Sequence, residues 1–315
     1  MMFSELVIQR LQELGISPET LALARGTLLG DKTAIDPQSV QQFRIAGMSH
    51  LLAVSGLHVG VIMSLVWAML KPVEAFVSLI TQPRMSVYYA TGIVKRMLVI
   101  LLTVLYVWSI GAPTSAVRAA LMLCLCMVGW MLHRPTSPWN CLLLAALILI
   151  ASDPWNIVQV GFQLSFLAVA GILLFQPWLQ DDSMRWWERM VLLSLAAQWL
   201  TAPFVAYYFH QVPFLGWLQG LLVVPLIPFF VGGLLVGILF PAFHWLCVPI
   251  EAFHHWLNWA SGFIVSSEQY LLGGHLYFYP SWWEVALSEA FFLLLIAWLR
   301  LRRHRLQASE SLNPQ

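Results

Sequence analysis

Charge is scarce in this chain. Only 10% of its 315 residues are Asp, Glu, Lys or Arg, against about 25% in an ordinary soluble domain. That scarcity excludes a disordered protein and an ordinary soluble enzyme. Neither sign dominates: 16 Lys+Arg face 15 Asp+Glu, for a net charge of +1, so the molecule as a whole has no preference for anions. Cysteine is also sparse. The four residues Cys124, Cys126, Cys141 and Cys247 lie in apolar runs and form no paired C-x-x-C pattern. This removes a disulfide scaffold, a zinc site and a redox motif, and the four read as small buried hydrophobes. No cleavable signal peptide opens the sequence, since residues 1–15 mix Glu5, Arg10 and Glu13 with apolar side chains. No nucleotide-binding P-loop is present.

Hydrocarbon is what the chain has in excess. Hydrophobic residues make up 60% of it and the mean hydropathy is +0.76. Its long segments are apolar on all sides, which excludes a membrane β-barrel, whose strands would alternate apolar and polar. What remains is an all-α, polytopic helical membrane protein. The candidate spans are Met48–Leu70, Met97–Ile110, Thr114–Leu132, Trp139–Ala151, Ile157–Leu179, Met190–Phe209, Leu215–Phe240, Trp245–Val265 and Trp282–Leu299. Met97–Ile110 reaches spanning length only if its helix starts near Tyr88, and Trp245–Val265 is the weaker candidate. Trp139–Ala151 falls short of the roughly 20 residues a span requires, which points to a tilted, shielded or re-entrant helix. The expectation is eight or nine spanning or re-entrant helices, some of them broken.

The first 46 residues have a different composition. They hold Glu5, Glu13, Glu19, Asp31, Asp36, Arg10, Arg25, Lys32 and Arg44. Helical spacing of Phe3, Leu6, Val7, Leu11 and Leu14, with Gly15 as a stop, predicts one short helix. Ser17-Pro18 and Asp36-Pro37 place a cap before a proline at the first helical position, and Gly30 ends the helix between them. The expected organisation is therefore amphipathic surface helices over 1–46, a transmembrane domain over 47–300 and a basic tail over 301–315.

Basic residues alternate between connections. Lys71, Arg84, Lys95, Arg96, His133, Arg134, Arg185, Arg189, Arg300, Arg302, Arg303 and Arg305 occupy alternate ones, whereas the stretches near 111–114, 153–154 and 210–213 carry no Lys or Arg. With nine spans, the basic loops and the C-terminus are cytoplasmic. The helices of 1–46 would then lie outside, which implies either an N-terminus-out first span or the later part of a longer protein.

Several polar residues interrupt the apolar runs. Arg118 lies one turn into an apolar helix, after Gly111-Ala112-Pro113; an arginine at mid-membrane costs about 2.5–3.5 kcal/mol on insertion scales. It either bonds carbonyls of a neighbouring broken helix or faces a polar conduit. Gln159 and Gln163 lie one turn apart, and Ser194, Gln198 and Thr201 share a helix face. Each of these can glue helices together, while convergence with Arg118 would line a cavity. Pro225 and Pro228 break the Leu215–Phe240 span, which is tolerated only where protein or water satisfies the freed backbone. Gly56 and Gly60 form a small-xxx-small face for helix contact. His50 and His58 lie within about 80° of each other if one helix carries both, but no third ligand suggests a metal site. Ser55 and His58, three apart, raise the alternative of an intramembrane serine hydrolase, with no oxyanion-hole motif in view.

The run His50-Leu-Leu-Ala-Val-Ser-Gly-Leu-His-Val-Gly60 resembles the signature of the membrane competence domain of ComEC-type DNA-uptake proteins. Further blocks fit in order: Leu28-Leu29-Gly30-Asp31, residues 111–122, Asp153-Pro154 with Gly161-Phe-Gln-Leu-Ser-Phe166, Leu195-Ala-Ala-Gln198 with Pro203, Phe209-His210, and Val224-Pro225-Leu226. Gly220 departs from the family pattern, which has Asn there.

The resemblance covers roughly residues 20 to 300. It implies a channel, or channel core, in the bacterial inner membrane that passes single-stranded DNA into the cytoplasm during transformation. Arg118, Gln163 and Gln198 would line it, with His50, Ser55, Gly56, His58 and Gly60 in its core helix. Implied partners are single-stranded DNA, the lipid bilayer and other competence proteins, among them separately encoded OB-like and nuclease-like domains; a homo-oligomer is left open. Full-length relatives carry an OB-like and a metallo-β-lactamase-like domain. The nine histidines here include no H-x-H-x-D-H, so no catalytic residue, metal or cofactor is expected. The chain then corresponds to the core of a split or truncated protein. A non-conducting membrane scaffold is the remaining alternative.

Overall fold

A computed structural model of the chain describes residues 2–52, 54–80, 85–134, 137–272 and 278–311. Ala53 and Arg84, and the last four residues of the basic tail, lie outside the described residues. Local chemistry starts and stops the first three helices: α1 (Met2–Glu13), α2 (Pro18–Leu29) and α3 (Pro37–Ile45). The Ser17 hydroxyl accepts the Thr20 N–H and the Asp36 carboxylate accepts the Ser39 N–H, so each cap satisfies one donor that a helix start leaves open. Gly15 and Gly30 close α1 and α2 at φ +87° and +76°, a left-handed conformation that glycine adopts without a Cβ penalty.

These helices pack onto the rest of the molecule. Val7, Leu11, Leu14, Leu23 and Leu28 are buried in the same core as the later helices. The α2 run is apolar on most sides, so it needs cover all round, and α1–α3 obtain it from α11 and α12, defined below.

Five long helices and one short one follow in antiparallel succession: α4 (Gly56–Ile80), α5 (Met85–Ser109), α6 (Thr114–Met131), the short α7 (Pro138–Ser152), α8 (Val160–Leu179) and α9 (Trp186–Phe209). The chain continues through α10 (Gln219–Leu222), α11 (Ile227–Leu239), α12 (Cys247–Leu272) and α13 (Trp282–Ser311). Among the described residues, six segments are long and apolar enough to cross a membrane: Gly56–Val77, Ala90–Ser109, Thr114–Met131, Val160–Leu179, Trp186–Phe209 and Gly216–Leu239. The protein is an all-α, multi-pass membrane protein. α7 is the short apolar helix expected near Trp139–Ala151. α12 and α13 cover the two further expected spans, Trp245–Val265 and Trp282–Leu299, but neither is among these six segments. Met97–Ile110 gains its length by starting at Met85.

Two expected spans begin differently. Met48–Leu70 is not one helix. Gly47 turns at φ +77°, residues Ser49–Leu52 form a 3-10 turn, and α4 starts only at Gly56. His50 and His58 therefore do not share a helix face. The Leu215–Phe240 segment is broken where its prolines predict. Pro225 lies in the short turn Val224–Leu226 and Pro228 in the first turn of α11, where a missing N–H leaves no intrahelical bond unmade.

Close helix contact sits elsewhere than at Gly60. A Cβ on Gly60 would meet nothing within 4 Å, and one on Gly56 would touch Ala119 at an ordinary 3.4 Å. A Cβ on Gly171 would instead collide with the Ala196 carbonyl oxygen, which ties α8 to α9 backbone to backbone. A Cβ on Gly220 would lie 2.5 Å from the Ser194 Cβ, so α9 packs directly against this glycine.

Candidate functional site

The signature segment is held by its own caps. Ser55 precedes α4, and its hydroxyl accepts the His58 N–H at 3.4 Å while the Ser55 N–H donates to His58 Nδ1 at 3.2 Å. This is a reciprocal capping box in which His takes the place of the usual Glu. Ser55 Oγ and His58 Nδ1 are 3.2 Å apart, but Nδ1 already accepts the backbone N–H and His58 is buried. That engagement suits a cap and works against a general base for Ser55. Ser115 Oγ donates to the Val54 carbonyl at 2.6 Å, which docks the start of α6 beside the start of α4.

Upstream of the cap, Gly47 packs against Gly216 and Pro213, each 3.2 Å from where its Cβ would stand. Gln219 Nε2 donates to the Gly47 carbonyl at 3.1 Å, and its Oε1 is buried without a partner. His50, in the turn that follows, is exposed. Gln198 points toward this junction, its Oε1 3.6 Å from the Cβ position of Gly216, and its Nε2 donates to Ser194 at 3.4 Å. Thr201 returns its hydroxyl to the Ala197 and Gln198 carbonyls. The break itself is repaired by Trp256, whose indole N–H donates to the Leu222 carbonyl at 2.8 Å.

Arg118 lies elsewhere, one turn into α6. It is 6% exposed, and its Nε has no partner. Nη1 and Nη2 each lie 3.8 Å from the point a Cβ on Gly161 would occupy. Among the described residues no hydrogen bond or ion pair holds it, so it does not fork onto the carbonyls of a broken helix. Gln163, one turn along α8, is used internally: its Nε2 donates to the Ile157 carbonyl at 2.9 Å and its Oε1 accepts from Tyr208 at 2.8 Å. Of the six polar candidates, Ser55 and His58 are brought into contact; Arg118 lies by Gly161, Gln163 is bonded to Ile157 and Tyr208, Gln198 lies by Gly216, and His50 is exposed.

Several polar residues have roles that sequence reasoning did not assign to them. Lys95, expected in a connection between spans, lies within α5, is 7% exposed, pairs with Glu74 at 2.9 Å and stands 3.9 Å over the Trp67 ring. Lone opposite charges in consecutive apolar helices were the available signal. Glu251 on α12 accepts from the Ser17 N–H, the Ser17 hydroxyl and the Thr20 hydroxyl, and Thr20 Oγ1 lies 2.7 Å from His254 Nδ1. This network fixes α2 to α12, and residues more than 230 positions apart in sequence carry no local signal of it. Asp31 gathers the Thr33 hydroxyl and N–H and the Arg25 guanidinium. The Thr33 bonds foremost, with help from Arg25, hold its carboxyl down at about 2. Among the described residues no three His, Cys, Asp or Glu side chains come together as a metal site.

The model of the family described as "Competence protein" matches residues 27–303. The chain belongs to the competence protein family. Relatives of this family member include "ComE operon protein 3" of Bacillus subtilis (strain 168), 26% identical over 225 residues, covering 71% of this chain and 27% of that protein. "Competence protein ComA" of Neisseria gonorrhoeae is 27% identical over 235 residues, covering 73% of this chain and 30% of that one. "Uncharacterized protein YcaI" of Escherichia coli (strain K12) is 22% identical over 214 residues, covering 66% and 27%. The chain thus spans less than a third of the length of the curated relatives it matches. No solved structure matches it. The competence match takes in α4 to α12 whole, and with them the capping box, Arg118 and the broken segment.

Proposed function

We propose that this chain is the conduit, or conduit core, of a DNA-uptake machine, and that it passes single-stranded DNA across the bacterial inner membrane with its C-terminus in the cytoplasm. The observation that carries the reading is Arg118, a cation kept buried and unpaired inside an apolar span. A membrane protein retains such a group where charge must be met on a path. The names of the relatives in Bacillus and Neisseria support competence as the setting.

In this reading residues 47–300 conduct, residues 1–46 buttress the conduit from one side, and the basic tail of 301–315 faces the cytoplasm. Arg118, Gln163 and Gln198 line the path, and His50, Ser55 and His58 shape its entry. The partners are single-stranded DNA, the bilayer and other competence proteins, including OB-like and nuclease-like domains supplied on other chains. No chemistry of its own is assigned to the chain.

The test is DNA uptake by a host that depends on this chain, normalised to folded protein in the membrane. Arg118→Met is expected to lower uptake at least tenfold, and Arg118→Lys to retain part of it, because both keep the stem length but only Lys keeps the charge. Uptake by a folded Arg118→Met protein at the wild-type rate would remove Arg118 from the path.

A further inference from the structure

A cation and a helix start meet at one point. The guanidinium of Arg118 reaches Gly161, the second residue of α8, with Nη1 and Nη2 each 3.8 Å from its Cβ position. The first intrahelical bond of α8 runs from the Gln163 N–H to the Gln159 carbonyl. The N–H groups of Val160, Gly161 and Phe162 come before it, and the cap residue Gln159 brings no side-chain oxygen to them. Three donors therefore stand open at a helix end that carries about half a positive charge. Arg118 adds a full charge, and as the fifth residue of α6 it also sits near the positive end of its own helix.

Nothing of opposite sign answers this among the described residues. No ion pair reaches Arg118. Asp153, the nearest carboxylate before α8 in sequence, accepts the Trp155 N–H instead. In a low-dielectric setting two positive features side by side are unfavourable until an anion joins them. Gln159, Gly161, Gly111 and Ala112 are exposed, so the point is reachable from outside. It also lies at the end where α4, α6 and α8 all begin, since α5 and α7 run the opposite way between them.

We propose that Arg118 and the first turn of α8 form a binding site for a phosphodiester oxyanion borne by a polynucleotide strand; only the identity of the bearer rests on the conduit reading. A guanidinium fork offers two parallel N–H bonds matched to two oxygens of one phosphate. Open N–H groups at a helix start bind the same group without base readout. Such a site contacts the backbone of any strand and is indifferent to its sequence.

The test uses the purified full chain in nanodiscs of zwitterionic lipid, with fluorescein-labelled (dT)20 as probe and inorganic phosphate as competitor at fixed ionic strength. The variants are Arg118→Met, Arg118→Lys, Val160→Pro and Val160→Ala. Val160→Pro deletes one open donor at a position where proline fits, because Gln159 already holds φ −71° and ψ 124°. Affinity for (dT)20 is expected to fall about tenfold for Arg118→Met, the lower end of what a hydrogen bond to a charged group supports, and about threefold for Arg118→Lys and Val160→Pro. Val160→Ala should bind as wild type. Phosphate should compete with (dT)20 on the wild type and fail to do so on Arg118→Met.

A folded Arg118→Met protein that binds (dT)20 with wild-type affinity and is still competed by phosphate overturns the site. Arg118-dependent binding of phosphate and of phosphatidylglycerol nanodiscs, with (dT)20 binding independent of Arg118, overturns the polynucleotide as bearer. A chain that binds (dT)20 through Arg118 but supports no uptake in the host upholds the site, and the conduit reading alone fails.

Discussion

Among the described residues two cations, Lys95 and Arg118, are buried in apolar helices, and they are treated in opposite ways. Lys95 on α5 is 7% exposed and fully answered: Glu74 on α4 lies 2.9 Å away and the Trp67 ring 3.9 Å below it. Arg118 on α6 is 6% exposed and answered by nothing among the described residues. The helices that carry them are adjacent and similar in composition, so burial alone does not separate a structural charge from a functional one. The partner does. A paired cation fastens two helices together, and a cation left open lowers stability and is retained for what it meets.

The largest effect expected from this contrast is at Glu74. Glu74→Ala strands Lys95 as an uncompensated buried charge and should cost about 3 kcal/mol, read as a fall in the thermal midpoint of the protein in nanodiscs. Replacing both partners, Lys95→Met with Glu74→Leu, should recover most of the loss, because the pair contributes little beyond two well-packed apolar side chains. A stable Glu74→Ala protein would mean that Lys95 is no better served than Arg118, and the contrast would break.

A smaller effect sharpens where the helix facing Arg118 is held. Gly171→Ala sets a methyl against the Ala196 carbonyl of α9 and should cost about 2 kcal/mol, as overpacking does. Gly60→Ala meets open space and should gain about 0.5 kcal/mol from helix propensity. Relative abundance of the two variants in membranes would show which one the fold tolerates. Equal loss at both would return the close-packing role to the signature helix.

Much of the fold was legible because its signals are local. The Ser17-Pro18 and Asp36-Pro37 caps, the Gly15 and Gly30 stops, the short helix near Trp139 and the proline break at 225–228 all depend on chemistry within a few residues. What escaped depends on distant residues. The start of the signature helix moved from Met48 to Gly56 because Gly47 is pinned by Gly216 and Gln219, and no periodicity records that. Burial of α1–α3 came from α11 and α12, including Leu14 against Gly237. The candidate site was half legible: the sequence marked Arg118 as anomalous by type and place, yet whether carbonyls would satisfy it was decided by the start of α8, more than forty residues on.

The most direct measurement is the thermal midpoint of Arg118→Met beside that of wild type, in nanodiscs of zwitterionic lipid without phosphate or nucleic acid. Removing an unanswered buried cation should leave the midpoint unchanged or raise it by a few degrees, in contrast to the fall expected for Glu74→Ala. A fall as large as that of Glu74→Ala would show that Arg118 holds the structure together, and would contradict its assignment as a charge kept open for a passing anion.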